Sequence, residues 1–154
     1  MADDNKKKKD EERYKSIKLE IVVKDGNVIF SKEVALAGFP GEEGVFTVYA
    51  GHTPFFSSLR YGEIRYKFDE EAEHYNYASI IGGFCEVNPE KINVITNSCE
   101  LAENIDINRA ESARKRAENR LASQGEDIDF SRAEAALKRS LARISVYNLY
   151  KSAQ

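Results

Sequence analysis

At about Asn104 the apolar residues of this chain change their repeat from two to near 3.6. That change restricts the fold to a β unit followed by a helical one. Upstream, Leu19, Ile21 and Val23 alternate with Lys18, Glu20 and Lys24, the pattern of a strand with one wet face. Asp25-Gly26 is a turn dipeptide, and Val28-Ile29-Phe30 restarts the chain beyond it. Pro40-Gly41 and Gly44 bracket a turn before a short strand from Val45 to Tyr49. Gly62 opens a further alternation, Ile64 to Phe68, and Asp69-Glu70-Glu71 turns the chain into Tyr75 to Ala78. Gly82-Gly83 is read as an interruption, after which Phe84 to Val87 resume and Asn88-Pro89 turns into Ile92 to Ile95. Many short strands at this spacing predict an antiparallel β-sandwich or flattened barrel of about 80 residues, placed at 17–101.

Downstream, Ala110, Ala113, Ala117 and Leu121 share one face of a helix, with Asp106 as N-cap and Ser123-Gln124-Gly125 as the stop. Asp127 or Asp129 can cap a second helix, in which Ala133, Leu137, Leu141 and Ile144 form an apolar stripe. Two amphipathic helices joined by a few residues predict an antiparallel hairpin over 104–150, completing an α+β fold. Alanines allow close approach but bury little area, at about 0.8 kcal/mol per methylene. The hairpin is therefore expected to open or move when a partner or ligand favours it.

The chain has a formal net charge of −3, which argues against nucleic acid as its main partner. The charge is unevenly placed. Residues 1–104 hold 13 Lys/Arg against 19 Asp/Glu, and residues 105–154 hold 10 against 7. A basic C-terminal module is thus attached to an acidic one and is expected to meet an anionic partner. Residues 1–16 mix charges around Lys6 to Lys9 with one aromatic, Tyr14, and read as a disordered tail. No apolar run approaches a membrane span, and no secretory signal is expected. Cys85 and Cys99 form no CxxC and read as buried free thiols, with no metal site expected.

Arg109 and Arg116, seven apart, lie on one helical face. On the second helix Arg132, Ala136, Arg139 and Arg143 form a stripe separate from the leucines. Folding the hairpin brings the arginine faces together, and guanidinium forks suit phosphate oxygens. The plainer reading is a set of solvated faces with i,i+4 pairs such as Glu134 with Lys138. No P-loop, carboxylate pair or nucleophile–base arrangement offers hydrolytic chemistry.

Several stretches resemble the ε subunit family of bacterial and organellar ATP synthases. Phe39-Pro40-Gly41-Glu42-Glu43-Gly44 resembles that family's PGxxG turn, and Gly51-His52-Thr53-Pro54 its GHxP segment. Leu59 and Gly62-Glu63-Ile64 continue the second block, and Gly82-Gly83-Phe84-Cys85-Glu86-Val87 resembles the GGFxEV strand. The departures are Ala50, where proline is usual, and Tyr49, where leucine is common. Ile105-Asp106-Ile107-Asn108-Arg109-Ala110 resembles the I/L-D-x-x-R-A segment of the bacterial members that bind ATP directly.

The resemblance implies a non-catalytic subunit at the foot of the central stalk, against the γ subunit and the c-ring. It implies a peripheral location on the cytoplasmic face of a bacterial plasma membrane. No cofactor is required; ATP is implied as a regulatory ligand held by Glu100, Ile105, Asp106, Arg109, Ala110, Arg116, Arg139 and Arg143. Arg132, Arg139 and Arg143 are implied to contact acidic segments of the α and β catalytic subunits when the hairpin extends and inhibits hydrolysis. Two alternatives are a coupling-only stalk subunit that does not bind ATP and an Arg-rich nucleic-acid adaptor.

Overall fold

The structure is a computed structural model that describes residues 1, 4, 15–123, 125 and 127–154. The tail expected over 1–16 falls almost wholly outside the described residues, as does Gln124 of the expected helix stop. Among the described residues eight strands form: β1 (Ile17–Val23), β2 (Val28–Val34), β3 (Leu36–Gly41), β4 (Gly44–Tyr49), β5 (Phe55–Lys67), β6 (Asn76–Val87), β7 (Lys91–Thr96) and β8 (Cys99–Leu101). A 3-10 turn at Ala102–Asn104 leads into α1 (Ile107–Ala122) and α2 (Phe130–Ser152). The strand order is β2-β1-β7-β6-β5-β3-β4, with β8 paired to β6. Pairing is antiparallel except between β1 and β7, which run parallel from Lys18↔Lys91 to Val23↔Thr96.

The two long strands β5 and β6 serve both layers of the sandwich. Their register skips Arg60 and Gly82 between Leu59↔Gly83 and Tyr61↔Ile81. On one side of this break β6 pairs with β7, and on the other with β8. Gly82-Gly83 therefore does not end the strand, contrary to the interruption expected from the sequence. It bends a strand that continues, with φ of 62° and 132° at the two glycines. Likewise Gly62 lies inside β5 and does not open it.

Alternation puts Ile17, Leu19 and Ile21 of β1 at 0% exposure, against Phe39, Ile64, Ile80, Ile92 and Val94 from the other strands. Full burial of each such side chain contributes about 1.5–3 kcal/mol. Among the described residues, both cysteines are free. Burial pushes the Cys85 thiol up to about 12, and burial followed by the charge of Glu100 does the same for Cys99. Burial, then Glu103 and Cys99, raises the Tyr66 phenol to about 12. These groups are held neutral in the folded state. Between the unfolded thiol value of 9.0 and about 12 the folded chain thus binds more protons than the unfolded one, and stability falls as pH rises. The urea midpoint should be flat up to about pH 9 and lower at pH 10.5; a midpoint unchanged at pH 10.5 would contradict this burial.

Asp106 caps α1 by accepting from the Arg109 N–H at 3.0 Å, and Asp129 caps α2 by accepting from Arg132 N–H at 3.0 Å. α1 ends at Ala122, directly before the expected Ser123-Gln124-Gly125 stop. Ser123 already has extended geometry (φ −76°, ψ 138°), so no left-handed glycine is needed. The stripe expected on α2 is also corrected. Its buried residues are Ala133, Ser140, Ala142 and Val146, while Leu141 is 46% exposed. α2 meets α1 on one side and β5 and β6 on another. Close approach on two sides selects small side chains over leucines.

Candidate functional site

α1 and α2 run antiparallel. Arg109 and Ala110 near the start of α1 share a cleft with Arg139 and Arg143 well along α2, while Arg120 near the end of α1 meets Arg132 at the start of α2. The first of these clefts has a volume of about 370 Å³, at the small end of the range for ligand sites. Its position follows from the chain path. β8 leaves the sandwich beside β6, placing Glu100 opposite Ser79, and the 3-10 turn then delivers Asp106 to cap α1. Ala110 and Ala113 on α1 and Ala136 on α2 are too small to fill the space between the helices, which leaves it open.

Four guanidiniums line the cleft, those of Arg109, Arg116, Arg139 and Arg143, facing two carboxylates, Glu100 and Asp106. Arg143 Nε donates to Glu100 Oε2 at 2.7 Å. This pair is half-buried and ties α2 to the end of the sandwich. Asp106 spends one oxygen on the helix cap. Arg109, Arg116 and Arg139 have no ion-pair partner among the described residues. The cleft therefore carries excess positive charge on planar, forked donors, a setting for a polyphosphate anion. Among the described residues no three His, Cys, Asp or Glu side chains come together to hold a metal.

Of the residues singled out in the sequence, Glu100, Asp106, Arg109, Ala110, Arg116, Arg139 and Arg143 meet in this cleft. Ile105 does not line it. Its side chain is 6% exposed, in a cluster with Ala102 and Val146 against Tyr77, Tyr147 and Tyr150, where it anchors the end of α2. Arg132 lies apart at the hairpin turn, beside Arg120, Asp127 and Ala133. Sequence reading did not single out Asn104 and Ser140, which also line the cleft. Their only signal is position, Asn104 two residues before the cap and Ser140 directly after Arg139. His52, in the GHxP segment, places Nδ1 2.7 Å from Thr53 O, its ring 5.1 Å from that of Phe55.

A larger groove of about 840 Å³ runs between α2 and β5. Glu42, Glu63 and Glu134 there face Arg60 and Lys138, and Lys138 is already paired with Glu134 at 3.1 Å. Mixed signs favour no one ligand charge, so the smaller cleft is the better candidate. No helix among the described residues is long and apolar enough to cross a membrane.

Comparison with known proteins gives consistent matches. Residues 16–102 match the family model for the ATP synthase delta/epsilon chain beta-sandwich domain, and 103–148 that for its long alpha-helix domain. The chain is 46% identical over 132 residues to an ATP synthase epsilon chain from Nitratidesulfovibrio vulgaris (strain DP4), covering 86% of this chain and 96% of the relative. It is 38% identical over 107 residues to the epsilon chain of Bacillus thuringiensis (strain Al Hakam), covering 70% and 77%. Among solved structures, a chain in the Euglena gracilis mitochondrial ATP synthase OSCP/F1/c-ring assembly superposes with a TM-score of 0.69 at 25% identity, covering 83% of this chain and 79% of that one.

Proposed function

Since this chain belongs to the ATP synthase delta/epsilon family, as an epsilon chain, we propose that it is a non-catalytic central-stalk subunit whose helical hairpin senses ATP. The sandwich contacts γ and the c-ring and passes rotation between the membrane sector and the catalytic head. The protein sits peripherally on the cytoplasmic face of a bacterial plasma membrane.

The observation that carries the ATP reading is the arginine cleft. Three guanidiniums with no carboxylate partner among the described residues line the cleft between α1 and α2, beside Asp106 and the Glu100–Arg143 pair. Phosphates take the guanidiniums, and the free oxygen of Asp106 accepts from the adenine amino group. ATP acts as a signal and is not turned over.

Arg109 and Arg116 come from α1, and Arg139 and Arg143 from α2, so the site exists only when the hairpin is closed. ATP accordingly favours the closed state by binding it better. When ATP falls, the hairpin extends along γ, offers Arg132, Arg139 and Arg143 to acidic segments of the α and β subunits, and blocks hydrolysis.

Calorimetric titration of ATP into the isolated protein tests the sensing step. Saturable 1:1 binding that weakens with salt is expected. A flat titration would leave a coupling subunit with an ungated hairpin. In the assembled enzyme, removing residues 105–154 should raise ATPase activity several-fold, the size of a typical allosteric coupling of about 1–3 kcal/mol. Unchanged activity would remove the inhibitory step.

A further inference from the structure

Two buried polar atoms have no hydrogen-bond partner among the described residues, Ser79 Oγ and Arg65 Nε. Both belong to one face of the β5–β6 pair. Arg65 is registered with Tyr77 and Glu63 with Ser79, and directly opposed residues point to the same side. That side faces the helices, because Tyr77 packs against Ala102, Ile105 and Val146. The alternate residues, Ala78 and Ile80, enter the sandwich core. Ser79 is also registered with Glu100 on β8, whose carboxylate holds Arg143 of α2. α2 packs on β6, and Ser79 is 2% exposed with its hydroxyl oxygen buried.

A buried hydroxyl without a partner is a standing cost to the state that buries it. If the surface is wet in another state, water satisfies the hydroxyl there, and the cost becomes a bias toward that state. We propose that Ser79 is such a bias: it opposes docking of α2 on the sandwich and so raises the population of the undocked hairpin. The proposal rests on the reading that the hairpin undocks, but not on its binding ATP.

Ser140 supplies the contrast. It is 1% exposed, but its Oγ donates to the Leu137 carbonyl of its own helix at 2.8 Å. That bond survives undocking, so Ser140 has no preference between the states.

Native-state hydrogen exchange on the full chain, without nucleotide, tests this with Ser79→Ala and Ser140→Ala. Ser79→Ala should slow exchange of the α2 amides about tenfold relative to those of β1 and β7, and Ser140→Ala should not slow them. Unchanged or faster α2 exchange in Ser79→Ala would overturn the proposal, as would equal slowing of sheet and helix. If α2 of the unmodified protein exchanges only together with the sheet, the undocking reading itself fails. Separate opening of α2 that Ser79→Ala leaves unaltered would sink the Ser79 assignment alone.

Discussion

Arg143→Ala is expected to weaken ATP binding by roughly 100-fold. Loss of a charge-assisted hydrogen bond costs about 1.5–3 kcal/mol, or roughly 10- to 150-fold. A second effect adds to it. Glu100, now 2.7 Å from the Arg143 guanidinium, would be left as an uncompensated carboxylate on the wall of an anion site. The two effects separate in a double-mutant cycle. Glu100→Gln in the Arg143→Ala background removes the repulsion and should recover about tenfold of the lost affinity (about 1.4 kcal/mol). Titration of the two single variants and the double variant by calorimetry gives the answer. If Arg143→Ala binds ATP as well as the unmodified chain, the nucleotide does not sit in this cleft.

Gly83→Ala should be the most damaging single methyl addition in the sandwich. A Cβ on Gly83 would stand 2.1 Å from the Ile95 carbonyl oxygen and 2.9 Å from Thr96 Cα, both backbone atoms of the neighbouring strand, and φ is +132°. Forcing an L-residue into such a conformation costs about 1–3 kcal/mol. The overlap adds about 1–3 kcal/mol more, because β7 is held by its ladder to β1 as well. The sum is a large share of the about 5–15 kcal/mol that stabilises a typical domain. A fall in Tm of about 15–30 °C follows. Gly26→Ala is the control. Its φ is +89°, yet nothing lies within 4 Å of the added carbon, so it should lose only about 1 kcal/mol. Thermal melts of the two variants that coincide would show that strand proximity at Gly83 is not the source of the effect.

The arginine cleft was more legible than the packing around it. Arg109 and Arg116 sit on the same α1 face as a consequence of helical period alone, and Asp106 and Asp129 are caps because short carboxylates satisfy the first free N–H groups. The alanine face of α1 was also readable, as Ala110 and Ala117 are buried. α2 was harder. Hydropathy points to Leu141, yet helix-on-sheet and helix-on-helix contact at close range favours Ala133, Ser140 and Ala142, which carry little hydropathy signal. Gly82-Gly83 misled for a related reason. Glycine marks both breaks and bends, and only the pairing of β6 with β5 on both sides of the glycines distinguishes them. The three residues of β8 have no periodicity to detect. Their pairing with β6 nevertheless delivers Glu100 to the cleft. Ile105 belongs to the matching segment by resemblance, but its apolar side chain has a better partner in the tyrosine cluster beneath α2.

The parallel pairing of β1 with β7 has a consequence for how the chain is made. Glu20 and Lys91, whose side chains meet at 3.0 Å across that pair, are 71 residues apart, and no local turn can join parallel neighbours. During synthesis β1 has only its hairpin partner β2 until β7 emerges. Its buried row of Ile17, Leu19 and Ile21 stays without its central neighbour for that interval. Long-range closure of this kind is slow, whereas the contacts between α1 and α2 are local and form quickly. The sandwich is thus completed late in its own translation, and the hairpin forms within moments of leaving the ribosome.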